Sequence, residues 1–188
     1  MPTPVEPPTR RQQILRIASE LFAERGFHGV SMNDIGAACG ISGPALYKHF
    51  RGKDDLLTHA LVDISPELLA TGQDRVASAG TASERLDALV AWHIDFALGH
   101  PALIVLQERE WSSLDTEARA SVRRLQLAYV DLWVDVVRSL RDDLDRPAAR
   151  AAVQATFGLL NSTPHSARIG APRMRVLLAR MARSALLG

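Results

Sequence analysis

The chain has 188 residues, of which 47% are hydrophobic, so it can bury a sizeable core as one unit or as a small domain joined to a larger one. Its 22 lysines and arginines nearly balance its 21 acidic residues, so net charge alone gives no reason to expect a nucleic-acid partner. Cys39 is the sole cysteine, which excludes an intramolecular disulfide and favours a reducing compartment.

The start of the chain predicts neither a signal peptide nor a membrane anchor. Residues 1–8 hold four prolines and no apolar stretch, so we predict a disordered leader there. No apolar run approaches the roughly 20 residues that cross a bilayer. We therefore expect a cytoplasmic protein without a membrane partner.

The first two helices are predicted from apolar periodicity and from the residues that end them. Apolar side chains recur at helical spacing over residues 9–25, and Gly26 ends this helix because glycine accepts a left-handed backbone. Ser31 begins a second helix, with Asp34 three residues later in the position of a capping box. Gly40 ends that helix after two turns.

A third, shorter helix is predicted over Gly43–Phe50. Ser42 precedes it, and its hydroxyl is expected to accept a hydrogen bond from the free N–H groups of the first turn. Only the tripeptide Gly40-Ile41-Ser42 separates this helix from the second one. Two short helices joined by so tight a turn form a helix-turn-helix motif.

The remainder of the chain shows helical periodicity, and no stretch shows the alternation of apolar and polar residues that a strand requires. We therefore predict an all-α fold of about nine helices. Pro66 is expected to kink or divide the fourth helix, because proline removes a backbone donor and clashes with the preceding turn. The helices after the motif are predicted to begin at Lys53, after Thr81, at Pro101, at Asp115, at Pro147 and at Pro172.

The segment Val30–Leu57, VSMNDIGAACGISGPALYKHFRGKDDLL, strongly resembles the DNA-binding module of the TetR family. The likeness lies in the order and spacing of a capped two-turn helix, a glycine turn, an aromatic and basic third helix, and the start of the next helix at Gly52-Lys53-Asp54-Asp55-Leu56. It covers residues 9–57 well, and further along the chain only the architecture matches.

The resemblance implies a division of the chain and a function. After the leader, residues 9–55 would form a helix-turn-helix DNA-binding domain, and residues 56–188 a helical ligand-binding and dimerisation domain. The implied protein is a transcription regulator, by default a repressor, that binds a palindromic operator in double-stranded DNA as a homodimer. A small-molecule inducer would release it from the operator.

The third helix has one face suited to burial and one suited to DNA. Leu46 and Phe50 lie four residues apart and are predicted to pack against the first two helices. The outward residues can hold phosphates or, where they are small, approach base edges. The predicted phosphate contacts are Ser42, Tyr47, Lys48 and Lys53, the base contacts are Gly43, Pro44, Ala45 and His49, and Arg10, Arg11 and Ser31 complete the DNA-binding set. The alternative is that the outward residues are only the polar face of a helical bundle.

The family resemblance also implies a ligand cavity among the later helices. The predicted lining residues are Trp92, His93, Phe96, Leu103, Trp111, Tyr129, Trp133 and Phe157. They supply area but few charges, which favours a mainly apolar inducer with one polar end. The stretches Leu106–Trp111 and Leu132–Val136 are loosely similar to family members that sense fatty acids or acyl-CoA thioesters, and drug-like aromatic compounds are the second possibility. Aromatic residues at helical spacing also form ordinary core, and this alternative stays open.

The last two helices, over about residues 147–160 and 172–187, are predicted to form the dimer interface. Small residues allow close helix approach, and larger apolar residues supply area. The small residues are Ala148, Ala151, Ala152 and Ala155, and the larger set is Leu159, Val176, Leu177, Ala179, Met181 and Leu187. The alternative is that both helices only complete the core of the monomer.

No nucleophile elbow, phosphate loop or metal-ligand pattern occurs in the sequence, so we predict no catalytic residue, no metal and no cofactor. Two other functions stay open. One is a helix-turn-helix adaptor that acts through protein contacts without a ligand. The other is an all-helical enzyme in which His93 and either Asp95 or Glu108 form an acid–base pair. A closed aromatic-lined cavity would favour the ligand sensor, and a solid core would favour the adaptor.

Overall fold

The computed structural model describes residues 9–188, and the predicted leader over residues 1–8 lies outside the described residues. The elements are α1 (Arg10–Arg25), α2 (Met32–Cys39), α3 (Gly43–Tyr47), α4 (Lys53–Val62), α5 (Ile64–Ser78), α6 (Ala82–Gly99), α7 (Pro101–Arg109), α8 (Thr116–Arg138), α9 (Arg146–Leu160), α10 (Thr163–Ser166) and α11 (Ala171–Leu187), with a 3-10 turn at Trp111–Ser113. Within residues 9–188 there is no strand, and the predicted all-α fold is confirmed. Nine helices remain when α4 and α5 are counted as one interrupted helix and the short α10 is set aside.

Capping boxes begin both α1 and α2. Thr9 and Gln12 form the first box, and Ser31 and Asp34 form the second. The Ser31 hydroxyl and N–H both donate to the Asp34 carboxylate, and these bonds hold the pKa of that carboxyl below its ordinary value. The capping box predicted for the second helix is present in the structure.

The third helix departs from the prediction at both ends. Ser42 precedes α3, but its side chain makes no capping hydrogen bond. Pro44 lacks an N–H in the first turn, and the Ala45 N–H donates instead to the backbone carbonyl of Ser42 at 3.0 Å. α3 ends at Tyr47 and not at Phe50, because the Lys48 N–H bonds back to the Ala45 carbonyl and tightens the chain into a turn.

Pro66 divides the fourth predicted helix in two. α4 ends at Val62 and α5 begins at Ile64. The N–H that Pro66 lacks is the one that would have bonded to the Val62 carbonyl in an unbroken helix. Asp63 forms the junction, where its N–H still donates to the His59 carbonyl at 3.0 Å.

The buried apolar side chains form two core clusters. The first core combines residues of α1 to α4 with Leu106 of α7, Leu114 just before α8, and Ala118 within α8. The second core is built mainly from α6, α8, α9 and α11, and Trp133 is fully buried in it. The helix-turn-helix region therefore shares its core with α7 and the beginning of α8, which join it to the rest of the chain.

α6 and α7 meet at a sharp bend of 82°. Pro101 opens α7 after His100, and the bend turns α7 toward α1, against which it packs. Among the described residues no single helix is long and apolar enough to cross a membrane. Taken together, α6 and α7 have the length and the apolar composition of a membrane-spanning helix, but they are bent at 82° to each other.

Candidate functional site

α3 presents one buried face and one exposed face. Leu46 and Phe50 are only 0% and 1% exposed and belong to the first core. On the opposite side Tyr47 is 55% exposed, and Lys48 and His49 are exposed beside it. Of the remaining predicted contacts on this helix, Pro44 is exposed and Gly43 and Ala45 are partly exposed. These outward side chains are free to meet another molecule without disturbing the core.

Two glycines allow α2 and α3 to meet at a tight turn. Gly40 has a left-handed backbone with a φ of 65°, which reverses the chain after α2. A Cβ on Gly36 would lie 3.1 Å from the carbonyl oxygen of Ile41 and 3.7 Å from the nitrogen of Gly43. The turn therefore packs directly on α2, and this contact fixes where α3 lies.

Arg10 and Arg11 are both engaged within the protein. Arg11 donates to Asp63 at 2.7 Å, and its guanidinium lies 4.9 Å from the centre of the Phe50 ring. Arg10 donates to the backbone carbonyl of Cys39 at 2.6 Å. Each guanidinium has five N–H donors, so these bonds restrict where the two arginines can reach but leave further donors for another partner.

Two lysines lie close to α3 in the chain: Lys48 directly follows it, and Lys53 begins α4, whose first turn also carries Asp54 and Asp55. The Lys53 ammonium lies 4.5 Å from the centre of the Phe27 ring, a cation–π contact, and Lys53 is the first residue of α4. The free N–H groups of that first turn add partial positive charge. The Ser31 hydroxyl, by contrast, already donates to Asp34 in its capping box.

Five of the predicted ligand-lining residues come together in the second core. We call this set the aromatic cluster, and its members are His93, Phe96, Tyr129, Trp133 and Phe157. The His93 and Phe157 rings are stacked, with centroids 4.6 Å apart and 7° between their planes. Trp133 meets Phe157 edge-on at 5.0 Å. These spacings are those of rings in direct contact, so the cluster is closed as it stands.

The other three predicted lining residues lie elsewhere. Trp92 donates its indole N–H to the Leu68 carbonyl at 3.0 Å, where α6 meets α5. Leu103 and Trp111 pack against the first core. The bend between α6 and α7 explains the separation of Leu103 and Trp111, because it directs α7 toward α1 and away from the aromatic cluster, whereas Trp92 lies on α6 before the bend.

Three polar atoms in the aromatic cluster are buried without a hydrogen-bond partner in the part of the chain that the structure describes: His93 Nδ1, Tyr129 OH and Trp133 Nε1. Their side chains are only 3%, 3% and 0% exposed. The other ring nitrogen of His93 is satisfied, because Nε2 lies 3.1 Å from the amide oxygen of Asn161. An amide oxygen only accepts, so Nε2 carries the proton and Nδ1 is left as a bare acceptor.

Burial also sets the charge of this cluster. It lowers the pKa of His93 to about 4, an effect that the bond to Asn161 opposes. It raises the pKa of Tyr129, opposed in part by the nearby Trp133 N–H, whose geometry falls short of a hydrogen bond. Both side chains are therefore neutral near neutral pH, and the cluster offers uncharged donors and acceptors.

Sequence reasoning missed two residues of this site. Asn161 follows α9 and lies 68 positions from His93, so no local pattern could have paired them. Gly72 of α5 lies against Tyr129, and a Cβ there would come within 2.8 Å of Cε2. A glycine inside a helical pattern can mark close packing, and that signal was present at Gly72.

The acid–base pair considered for an enzyme is not assembled. His93 is bonded to Asn161, while Asp95 forms an ion pair with Arg175 at 2.8 Å. Glu108 is exposed on α7. Within residues 9–188 no three metal-ligating side chains come together in a group that could hold a metal ion.

α9 and α11 expose an apolar strip. Val176 is 72% exposed and Met181 is 43% exposed. The exposed small residues of the strip are Ala148, Ala151 and Ala155, and the residues partly buried against the second core are Ala152, Leu159, Leu177, Ala179 and Leu187. These helices thus complete the core of the monomer with one face and present apolar surface on another.

Comparison with known proteins gives matches across both parts of the chain. Residues 14–60 match the family model described as bacterial regulatory proteins of the tetR family, and residues 79–165 match a tetracyclin repressor-like C-terminal domain. The chain is 30% identical to the HTH-type transcriptional repressor KstR2 of Mycobacterium tuberculosis over 144 residues, which cover 73% of this chain and 72% of that protein. It is 22% identical to the fatty acid metabolism regulator protein of Bacillus subtilis over 157 residues, 80% of this chain and 79% of the relative.

Solved structures share the fold over nearly the whole chain. The ketosteroid transcriptional regulator KstR2 of Mycobacterium tuberculosis superposes with a TM-score of 0.81 at 24% identity, covering 97% of this chain and 95% of that one. FadR from Bacillus subtilis in complex with stearoyl-CoA gives 0.69 at 19% identity, covering 93% and 94%. AibR in complex with isovaleryl coenzyme A and operator DNA gives 0.72 at 24% identity, covering 92% and 97%.

Proposed function

The chain belongs to the TetR family of bacterial regulatory proteins, and we propose that it is a repressor that binds a palindromic operator as a homodimer. The observation that carries this proposal is the exposed face of α3, held in place by the buried Leu46 and Phe50. Repression by occupying DNA needs no chemical step, so the proposed function involves no catalysis and no cofactor. Its operator would be chromosomal, which makes the cytoplasm the proposed location.

The proposed DNA contacts combine positioning with base recognition. Tyr47, Lys48 and Lys53 would hold phosphates along the edge formed by α3 and the beginning of α4. Pro44 and His49 would face base edges when α3 lies in the major groove. Ser42 supports a phosphate contact as well, because its exposed hydroxyl is not used as a helix cap.

The proposed homodimer uses the apolar strip on α9 and α11. Val176 and Met181 would each bury exposed apolar area against the partner, and the small residues of α9 allow the helices to approach closely. A two-fold pair presents two copies of α3 to two related half-sites. A palindromic operator is therefore expected.

The proposed inducer is a coenzyme A thioester whose acyl group is buried among the later helices. Two of the structural neighbours, FadR and AibR, were solved with stearoyl-CoA and isovaleryl coenzyme A, respectively. In this chain the aromatic cluster supplies a largely uncharged apolar surface of the kind that suits an acyl group. Because the rings touch one another, the ligand would have to displace Phe157, which is stacked on His93 and is only partly buried.

The closed packing of the aromatic cluster also favours a second candidate, a DNA-binding adaptor that responds to no ligand. The two functions differ in one measurement. Footprinting on the DNA beside the gene would locate the operator, and operator affinity would then be titrated with isovaleryl-CoA, decanoyl-CoA, stearoyl-CoA, free fatty acids and planar aromatic compounds. Free coenzyme A is the matched control.

A coenzyme A thioester should weaken operator binding where free coenzyme A does not, and sedimentation should show a dimer on an inverted repeat. Coupling between the two sites is reciprocal, so the operator should weaken thioester binding by the same factor. An affinity that no compound changes would favour the adaptor, and a monomer on a single half-site would contradict the dimer.

A further inference from the structure

We propose that the aromatic cluster recognises an uncharged hydroxyl group at the buried end of the ligand. The inference rests on the proposed function, since it assumes that a ligand reaches this cluster. Among residues 9–188, His93, Tyr129 and Trp133 carry the three buried side-chain polar atoms that form no hydrogen bond. Buried polar groups in folded proteins are almost always hydrogen-bonded, so three in one cluster point to a partner from outside the chain.

The three atoms match the bonding capacity of a hydroxyl. A hydroxyl oxygen accepts two hydrogen bonds and its proton donates one. The Trp133 N–H and the Tyr129 O–H can both donate to that oxygen, and its proton can go to the bare Nδ1 of His93. A methyl group would satisfy none of the three, and a ketone would leave the His93 acceptor unpaired.

The rings that carry these atoms are packed together. Their centroids are 5.8 Å apart for His93 and Tyr129, 5.9 Å for His93 and Trp133, and 6.2 Å for Tyr129 and Trp133. These rings are in contact, so a ligand group reaches the three atoms only when a ring moves aside, as proposed for Phe157, and the space opened in this way suits one small group. Gly72 takes part in this packing, because its missing Cβ leaves room for the Tyr129 ring.

A charged ligand group does not suit the same place. Every member of the cluster is neutral, because burial disfavours the imidazolium form of His93. A carboxylate buried here would have no cation to pair with, and an isolated buried charge is strongly unfavourable. The cluster therefore discriminates against both an apolar end and an anionic end.

Tyr129→Phe removes only the hydroxyl of this tyrosine and therefore measures what that group contributes. That hydroxyl forms no hydrogen bond among residues 9–188, and the geometry of the nearby Trp133 N–H falls short of one, so its removal should leave thermal stability unchanged or slightly raised. A structural hydrogen bond would instead lower stability when it is lost. Tyr47→Phe is the matched control, since it makes the same chemical change on the exposed face of α3 and should affect operator binding but not the choice of ligand.

Calorimetry with three thioesters of equal chain length tests the proposal: decanoyl-CoA, ω-hydroxydecanoyl-CoA and its ω-carboxyl analogue. The hydroxyl compound should bind at least about tenfold more tightly than the other two, and Tyr129→Phe should reduce this preference to severalfold or less. Equal binding of all three, or tightest binding of the methyl or carboxyl form, would overturn the inference and leave the proposed function intact. If no thioester binds, the inference and the proposed inducer fail together, while operator binding by the dimer is tested separately.

Discussion

The exposed face of α3 and the aromatic cluster hold their polar groups in opposite settings. Tyr47 and Lys48 are exposed to solvent, so water satisfies their polar groups when no partner is bound. His93, Tyr129 and Trp133 carry polar atoms that reach neither solvent nor a protein partner. An exposed recognition group costs the fold little, whereas a buried one lowers stability until its partner arrives. The exposed face of α3 therefore needs no partner for stability, whereas a ligand that paired with the buried atoms of the cluster would stabilise the protein.

The two regions are connected through α6 and α7, and also through α8, which carries Ala118 of the first core as well as Tyr129 and Trp133. His93 lies on α6, and the bend at Pro101 directs α7 against α1, which carries much of the first core. A ligand that moves α6 would therefore move α7 against the DNA-binding part. We expect the effect on operator affinity to depend on this contact, because a ligand shifts only those conformations that it binds unequally.

The largest expected effect lies inside the aromatic cluster. Trp133 is 0% exposed and contacts the rings of both His93 and Phe157. Trp133→Ala should lower the free energy of unfolding by about 3–5 kcal/mol, measured by urea denaturation, because the cavity it leaves cannot be filled. Trp92→Ala is the matched control and should cost less, since Trp92 is partly exposed. Equal losses in the two variants would contradict the central position of Trp133.

His93 should make stability depend on pH. Its pKa of about 4 in the folded protein lies below the ordinary value of 6.5, so the unfolded chain binds the proton first as the pH falls. The contribution of His93 is therefore fully present above pH 6.5 and is lost progressively as the pH falls toward 4. Between about pH 7 and pH 5 it should remove about 2 kcal/mol of the free energy of unfolding.

The matched variant for this prediction is His93→Gln, which cannot titrate. Urea unfolding of both proteins at the two pH values separates the histidine from every other titrating group. The free energy of unfolding that is lost between pH 7 and pH 5 should be smaller in the variant by about 2 kcal/mol. Identical losses would show that His93 does not titrate below its ordinary range.

On the exposed face of α3 the expected effect is smaller, and it concerns DNA binding instead of folding. Lys48 is exposed at the end of α3, so Lys48→Ala should leave thermal stability unchanged. It should weaken binding to all sequences and lower the slope of log affinity against log salt by about one, the value for one lost phosphate contact. Arg16→Ala, which removes an exposed cation from α1, is the control and should leave the slope as it is. An unchanged slope in Lys48→Ala would remove this lysine from the interface.

The sequence predicts a region well when the residues that build it are close together in the chain. The helix-turn-helix depends on close neighbours such as Ser31 and Asp34, and its fold and family were predicted and are confirmed. The cap expected from Ser42 is absent, since the N–H of Ala45, three residues on, donates to the backbone carbonyl of Ser42 and not to its hydroxyl. The aromatic cluster depends on distant pairs, such as His93 with Asn161, and on the angle of the α6–α7 bend. Its aromatic members could therefore be named, but neither its unpartnered atoms nor the separation of Leu103 could be predicted.

The smallest expected effect belongs to Arg11. Its substitution tests whether the proposed DNA-binding surface extends from α3 onto α1. The Arg11–Asp63 ion pair is 2.7 Å long, but the two side chains are 39% and 41% exposed, so solvent screens the pair. Arg11→Ala should therefore lower the free energy of unfolding by only about 0.2–1 kcal/mol. If Arg11 only stabilises the fold, the salt slope of operator binding should be unchanged in Arg11→Ala, in contrast to Lys48→Ala.

Asp63→Ala breaks the same ion pair but leaves the arginine in place. Operator affinity that falls in Arg11→Ala and rises in Asp63→Ala would show that Asp63 withholds the arginine from DNA, and the proposed DNA-binding surface would then extend from α3 onto α1.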